Sequence, residues 1–189
     1  MSSAVTVSVW MVSYNHEGFI AKALEGVLMQ QCNFLVELVI ADDCSTDSTE
    51  NVIKEDMENH PNGSWIKFTR HRENKGMMGN FLWTLNQCRG RYIALCEGDD
   101  YWTDPYKLQK QVDFLDKNPE YVLCFHPVRI LEPDGSLVDD YITKVPLQYK
   151  TIHDLARYGN YIHTPSVVYR NVLDSLPDEM LHTPIGDFF

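Results

Sequence analysis

The chain has 189 residues, of which 44% are hydrophobic and 12% aromatic, and its formal net charge at pH 7 is −11. This length and composition exclude a disordered chain and are typical of one globular domain with a sizeable core. The negative charge disfavours a nucleic-acid surface and a polybasic membrane patch, because both need clustered Lys and Arg.

The first part of the chain alternates strands with helices. Residues 5–12 predict a strand, and residues 16–30 predict a helix with one apolar face. A second strand follows at 34–43, a second helix at 47–60 and a short third strand at 65–70. The apolar face of the first helix is expected to consist of Phe19, Ile20, Ala23, Leu24, Val27 and Leu28.

The alternation continues through the rest of the chain. The further predicted elements are a helix at 77–88, a strand at 91–97, a helix at 105–118, a strand at 121–131, a hairpin return at 136–142, a helix at 151–159 and a strand at 165–170. Asp47 and Glu50 are spaced as a capping box for the second helix, and Pro105 is typical of a helix start. The chain stops at Phe189 within what is typical of the start of another helix, so we expect a fragment of a longer protein.

Strands that alternate with helices of this length predict a Rossmann-like α/β fold with a mostly parallel central sheet and helices on both faces. Ligands of such sheets bind beyond the carboxyl ends of the strands. The first, second and fourth strands end in the polar segments "SYNHE", "ADDCSTDS" and "EGDDYW". We therefore expect these three segments to meet at one edge of the sheet.

The carboxylates of Glu97, Asp99 and Asp100 follow the fourth strand within four residues. Each close pair at ~4 Å costs about 4 kcal/mol at an effective dielectric constant near 20. Asp42 and Asp43 are expected on the same rim, so a cation such as Mg²⁺ or Mn²⁺, with a phosphate-bearing substrate, is favoured. The alternative for the acidic segment is a solvated loop.

Motifs of several competing classes are absent from the sequence. It contains no G-x-G-x-x-G after the first strand, no P-loop and no G-x-S-x-G elbow. The histidines show no metal-ligand spacing, and each is interpreted as a loop or packing residue. They are His16, His60, His71, His126, His153, His163 and His182. Five cysteines without a CxxC pair, and the lack of a signal peptide, favour a reducing compartment.

Four segments occur in the order "VSVWMVSYNHEGFIAKALEGVLMQ", "LVIADDCSTDST", "RENKGMMGNF" and "YIALCEGDDYW". Together, in this order and spacing, they resemble the family 2 glycosyltransferases of the GT-A fold. The resemblance is strong over residues 5–130 and continues more weakly to "PIGDFF". It implies an inverting transferase that takes a sugar from a nucleotide-sugar donor, with UDP favoured, and that uses a divalent metal.

The resemblance also implies roles for residues of the donor site. Tyr14, with Ser13 beside it, matches the position that packs on the nucleotide base. Asp42 and Asp43 match the acids that contact base and ribose, and Lys75 in "NKG" is expected to face a phosphate.

The D-x-D element of the family falls on Glu97, Gly98 and Asp99, with Glu97 in place of the usual Asp. Asp99 and Asp100 are expected to bind the metal, and Trp102 is expected to pack beneath their loop. Asp187 in "PIGDFF" matches the catalytic base, which takes the proton from an acceptor hydroxyl.

The resemblance implies one GT-A domain over residues 1–189, truncated at its C-terminus. Its nucleotide-binding part covers about residues 1–105, and its acceptor-side part covers 106–189. The protein is expected in the cytoplasm, with peripheral association with the inner face of the membrane. The expected acceptor is a glycan or lipid-linked oligosaccharide of a bacterial surface polysaccharide. Two alternatives stay open, a nucleotide-sugar-binding module without transfer and a sugar nucleotidyltransferase.

Overall fold

The described residues form a six-stranded sheet with helices on both faces, beside a separate two-stranded hairpin. The computed structural model describes residues 4–142, 151–158 and 161–172, and Asp187 lies outside them. The strands are β1 (Val7–Ser13), β2 (Val36–Asp42), β3 (Ile66–Arg70), β4 (Tyr92–Leu95), β5 (Leu123–Cys124), β6 (Arg129–Leu131), β7 (Leu137–Asp139) and β8 (Val168–Arg170). The helices are α1 (Ile20–Leu28), α2 (Thr49–Asn59), α3 (Gly76–Gln87), α4 (Lys107–Lys117) and α5 (Ile152–Tyr158).

The central sheet is mostly parallel, as the sequence predicts. Its strand order is β3-β2-β1-β4-β8-β5, and β1 pairs in parallel with both β2 and β4. β8 runs antiparallel to its two neighbours, and β6 and β7 form the predicted hairpin. Because the chain proceeds from β1 to β2 on one side and returns to place β4 on the other, a crevice opens between the carboxyl ends of β1 and β4.

Side chains of β1 point alternately into two apolar clusters, one on each face of the sheet. Val7, Val9 and Met11 belong to the larger cluster, which also contains buried residues of α1, α2 and α4. Trp10 belongs to the second cluster, against which Phe81 and Leu85 of α3 pack. A strand buried on both faces reads as a nearly continuous apolar run, and β1 has that composition. No helix within the described ranges is long and apolar enough to cross a membrane.

The predicted strand at 121–131 is wrong as a single element. The structure divides it into β5 in the central sheet and β6 in the hairpin. Pro127 lies between them and has no backbone N–H group to donate to a sheet ladder, so the strand is interrupted there.

Two predictions at helix starts also need correction. Phe19 is 56% exposed rather than buried, because α1 begins at Ile20 and Phe19 has non-helical backbone angles. The carboxylate of Asp47 accepts the backbone N–H of Thr49 at 3.0 Å, but the N-cap residue of α2 is Ser48, whose side chain makes no capping hydrogen bond. The reciprocal half of the capping box is missing, since Glu50 pairs with the Nζ atom of Lys54 at 2.7 Å.

Candidate active site

A cleft of about 430 Å³ lies at the carboxyl edge of the sheet. It is lined by parts of four segments: 12–16 at the end of β1, Asp43 after β2, 74–80 around the start of α3, and 97–100 after β4. The prediction that three polar strand ends meet is therefore confirmed by the geometry. Asn74, Met77 and Asn80 also line the cleft, although the sequence analysis did not select them.

The end of β1 presents one aromatic ring to the cleft. Tyr14 is 47% exposed and Ser13 is buried, and both residues line the cleft. Asn15 follows with a left-handed φ of 55°, and its side-chain oxygen accepts the backbone N–H of Thr46 at 2.8 Å. This turn holds the chain after β1 against the loop after β2, with the Tyr14 ring open to a ligand.

Asp42 is placed below the cleft rather than in its lining. Its side chain is wholly buried, and it accepts hydrogen bonds from the Ser13 hydroxyl at 3.1 Å and from the backbone and hydroxyl of Ser45. The Nε atom of Arg70, at the end of β3, lies 3.6 Å from Asp42 Oδ2. Asp42 therefore joins the ends of three strands.

Asp43 lines the cleft and is held by the loop before α3. Its Oδ1 atom accepts the backbone N–H of Lys75 at 2.7 Å, and its backbone oxygen accepts the side-chain amide of Asn74 at 3.1 Å. The backbone of Lys75 makes this contact, while the residue itself is exposed and is not among the lining residues. The expected contact between its ammonium group and a phosphate is thus not preformed.

The carboxylates of Glu97, Asp99 and Asp100 converge as predicted. One oxygen atom of each lies within 4.8 Å of the other two. The loop is fixed to β1, because the backbone N–H of Gly98 donates to the Val12 carbonyl at 3.0 Å. Burial, and then the neighbouring Asp99 carboxylate, raises the pKa of Asp100 to about 6. Three hard oxygen donors this close to one another fit a divalent cation.

Asp104 is separate from this carboxylate cluster. Its Oδ2 atom pairs with the Nζ atom of Lys110 at 2.6 Å, and its Oδ1 atom accepts the backbone N–H of Tyr106 at 2.9 Å. The hydrogen bond from Lys110 is the main cause that lowers the pKa of Asp104. This carboxylate is already compensated and serves the start of α4.

Trp102 packs beneath the acidic loop, as predicted. The residue is only 5% exposed, and its indole N–H donates to the Pro165 carbonyl at 2.7 Å. Gly26 of α1 packs on its backbone so closely that an added Cβ atom would lie 2.7 Å from the Trp102 nitrogen. Trp102 thus links the loop to α1 on one side and to the residues before β8 on the other.

Two histidines that the sequence analysis interpreted alike are placed differently. His71 is buried, with its Nε2 atom 3.1 Å from the side-chain oxygen of Asn80, and is a packing residue as predicted. His16 instead lines the cleft. Its position directly after the "SYN" of strand one, on the predicted ligand-binding edge, was the signal that could have identified it.

The chain is similar in sequence to known proteins. The family model described as glycosyl transferase family 2 matches residues 8–175. An uncharacterised protein of Mycobacterium tuberculosis is 43% identical over 166 residues, 87% of this chain and 46% of that protein. A protein of Bacillus subtilis described as a putative teichuronic acid biosynthesis glycosyltransferase is 30% identical over 136 residues, 72% of this chain and 52% of that protein.

A solved structure shares the fold. The crystal structure of S. aureus TarS in complex with UDP-GlcNAc matches with a TM-score of 0.62 and 24% identity, over 88% of this chain and 45% of that one. This likeness confirms the predicted GT-A fold. The chain spans about half the length of the curated relatives it matches.

Proposed function

The chain belongs to glycosyl transferase family 2, and on that premise we propose that it transfers a sugar from a nucleoside diphosphate sugar to an acceptor hydroxyl, with inversion at the anomeric carbon. One observation carries this proposal. Three carboxylate oxygens lie within 4.8 Å of one another in a cleft at the crevice between β1 and β4. Such a crevice is where α/β sheets bind nucleotides, and such donors suit a metal–diphosphate group.

The nucleotide would bind along the ends of β1 and β2. The half-exposed ring of Tyr14 offers an apolar face on which the base can stack, beside Ser13. Asp43 offers the carboxylate oxygen that does not accept the Lys75 N–H to a base or ribose donor group. Asp42 supports this floor from below. We propose UDP as the nucleotide, in keeping with the family and with the UDP-GlcNAc bound to TarS.

Asp99 and Asp100 would hold Mg²⁺ or Mn²⁺, and Glu97 would contribute its carboxylate to the cation or to the ribose. The bound cation would supply neutralisation of the diphosphate as it leaves. The ammonium group of Lys75, at the exposed rim, would turn inward to the same phosphates. No covalent intermediate with the protein is required, because the acceptor oxygen attacks the face opposite the leaving group.

Asp187 is the proposed catalytic base, on the resemblance of "PIGDFF" to the corresponding family segment. A carboxylate there would take the proton from the acceptor hydroxyl during attack. Asp187→Asn in the full-length protein should therefore keep donor binding by calorimetry and lose sugar transfer. Transfer retained at the wild-type rate would assign the base to another residue.

The proposed acceptor is a glycan or lipid-linked oligosaccharide of a surface polysaccharide, handled in the cytoplasm at the inner face of the membrane. The support is the relative assigned to teichuronic acid biosynthesis. Against the alternatives, a sugar nucleotidyltransferase needs a Gly-rich basic loop after the first strand, which "SYNHEGFIA" is not. A binding module would bind the donor and never release its sugar to an acceptor.

Calorimetric titration of UDP, first with Mn²⁺ and then with a chelator, tests the donor site. We expect binding that depends on Mn²⁺ and that Asp99→Asn abolishes, because the variant removes a charged ligand and leaves the fold intact. Asp104→Asn is the matched control, since Asp104 lies in the same loop but pairs with Lys110. Binding that is unchanged in Asp99→Asn would refute the metal assignment, and binding lost in both variants would indicate a damaged loop instead.

A further inference from the structure

The imidazole ring of His16 faces the carboxylate cluster across the cleft. Its Nε2 atom lies 4.0 Å from Asp99 Oδ2, which is slightly beyond hydrogen-bond distance. The His16 side chain is 22% exposed, whereas that of Asp99 is 54% exposed. A small rotation of the freer Asp99 side chain is therefore enough to bring the two groups into contact.

The other ring nitrogen of His16 is buried against the acidic loop. Within the described part of the chain, Nδ1 has no hydrogen-bond partner. It lies so close to Gly98 that an added Cβ atom there would be 2.7 Å away. A buried polar atom without a partner costs free energy that an apolar ring of the same shape would not. Packing stability therefore does not explain a histidine at this position, whereas a contact at Nε2 does.

His16 is also held in place from behind. Its backbone N–H donates to the Thr49 hydroxyl at 2.8 Å, and its ring meets the ring of Phe19 edge-to-face at 6.4 Å. Because the ring is restrained by Gly98, Phe19 and its own backbone, its Nε2 atom is held in one place beside the more exposed Asp99 carboxylate. The negative charge of Asp99 favours the tautomer that carries its hydrogen on Nε2.

We propose that His16 is a positioning residue for the metal ligand Asp99: in the metal-bound protein, its Nε2–H donates to the Asp99 oxygen that the cation does not use. This inference rests on the proposed function, since it needs a cation at the carboxylate cluster. A hydrogen bond of this kind orients a ligating carboxylate and typically contributes 10–100-fold to metal affinity.

Two substitutions at His16 separate this role from packing. His16→Phe keeps an aromatic ring and removes both nitrogens, while His16→Gln keeps an N–H donor at the reach of Nε2. We expect His16→Phe to weaken Mn²⁺ binding about tenfold or more, measured by calorimetry without nucleotide. His16→Gln should bind Mn²⁺ within about threefold of wild type on the same grounds.

Thermal unfolding of the metal-free variants provides a second readout. His16→Phe should unfold at the wild-type temperature or above it, because it removes an unpartnered buried nitrogen. His153→Phe, at an exposed position of α5, is the matched control and should change neither readout. If His16→Phe does not fold, His16→Met replaces it as the apolar variant.

The outcomes distinguish this inference from the proposed function. Wild-type affinity for Mn²⁺ in His16→Phe, or equal losses in His16→Phe and His16→Gln, would overturn the role of His16 alone. Wild-type protein that binds no Mn²⁺ would overturn the metal site and this inference together.

Discussion

The ammonium group of Lys107 is buried at the start of α4. Lys107 is 4% exposed, its Nζ atom lies 3.9 Å from the centre of the Trp102 ring, and it lacks a hydrogen-bond partner among the described residues. Burial lowers the pKa of Lys107 to about 7. The folded protein therefore binds one proton fewer than the unfolded chain between pH 7 and the ordinary lysine pKa near 10.5.

This pKa predicts a pH-dependent effect of Lys107→Met. The cost of a buried charge is fully present below pH 7, and it falls as the pH rises through that value, so the wild type gains stability with pH in this window. Lys107→Met should be more stable than wild type to urea at pH 6.5, and the difference should shrink toward pH 8.5.

Lys110→Met is the control for this comparison, because Lys110 is an exposed residue of the same helix. A solvated ammonium group carries no burial cost. The difference in stability between Lys110→Met and wild type should therefore not shrink as the pH rises. If the difference in stability between Lys107→Met and wild type stays constant or widens as the pH rises, the lowered pKa of Lys107 is contradicted.

At the scale of single residues, the sequence predicted which side chains belong to the site better than it predicted how deeply each of them is buried. The carboxylates 97–100 and Asp43 were assigned to the cleft because strand ends in a parallel sheet share an edge. The burial of Asp42 was not predictable, since it depends on Ser13, Ser45 and Arg70 meeting it from three strands. His16 follows β1 directly, yet it was missed because its approach to Gly98 and Asp99 depends on residues far along the chain.

Among the elements, α1 is positioned by a close approach to the loop that follows β4. Gly26 has no side chain, and an added Cβ atom would lie 2.7 Å from the nitrogen and 2.8 Å from the oxygen of the Trp102 backbone. Backbone atoms cannot move aside without displacing the loop. α1 and the acidic loop are therefore packed too closely to admit a side chain at position 26.

Gly26→Ala tests this contact. Alanine favours a helix by about 1 kcal/mol over glycine, but overpacking against a backbone costs about 1–3 kcal/mol. We expect a net loss of stability by urea unfolding, with weaker Mn²⁺ binding because the acidic loop is displaced. Gly18→Ala is the control, since nothing lies within 4 Å of its added Cβ atom. A Gly26→Ala variant that is more stable than wild type by the full ~1 kcal/mol of helix propensity would show that α1 and the loop are not in this contact.

Element types were predictable from periodicity, whereas some boundaries were not. The helices and the parallel strands follow from patterns within each segment. The split between β5 and β6 depends on which sheet each half joins. β5 pairs with β8, which lies some forty residues further along the chain, and a local pattern carries no information about so distant a partner. The position of α1 one residue after Phe19 depends on the turn after β1, where Phe19 donates its backbone N–H to His16.

At the scale of the whole molecule, ligand binding should raise thermal stability. A ligand that binds only the folded state at about 100 times its dissociation constant contributes ~2.7 kcal/mol, and each kcal/mol raises Tm by ~2–4 °C in a chain of this size. UDP with Mn²⁺ should therefore raise Tm by roughly 5–10 °C in a fluorescence melt. The same addition should leave Asp99→Asn unchanged, and an equal rise in that variant would place the ligand elsewhere.

The position of β8 in the sheet makes the pairing of β4 depend on a segment that is synthesised late. It lies between β4 and β5, so the edge of β4 is unpaired until residues 168–170 have been made. At translation rates of ~5–20 residues per second, the nascent chain carries that open edge for several seconds. Pairings between distant segments form slowly, and an unpaired edge invites association with other chains. Ribosome-bound chains that end before β8 should therefore be clients of chaperones, and chains that extend beyond it should be released from them.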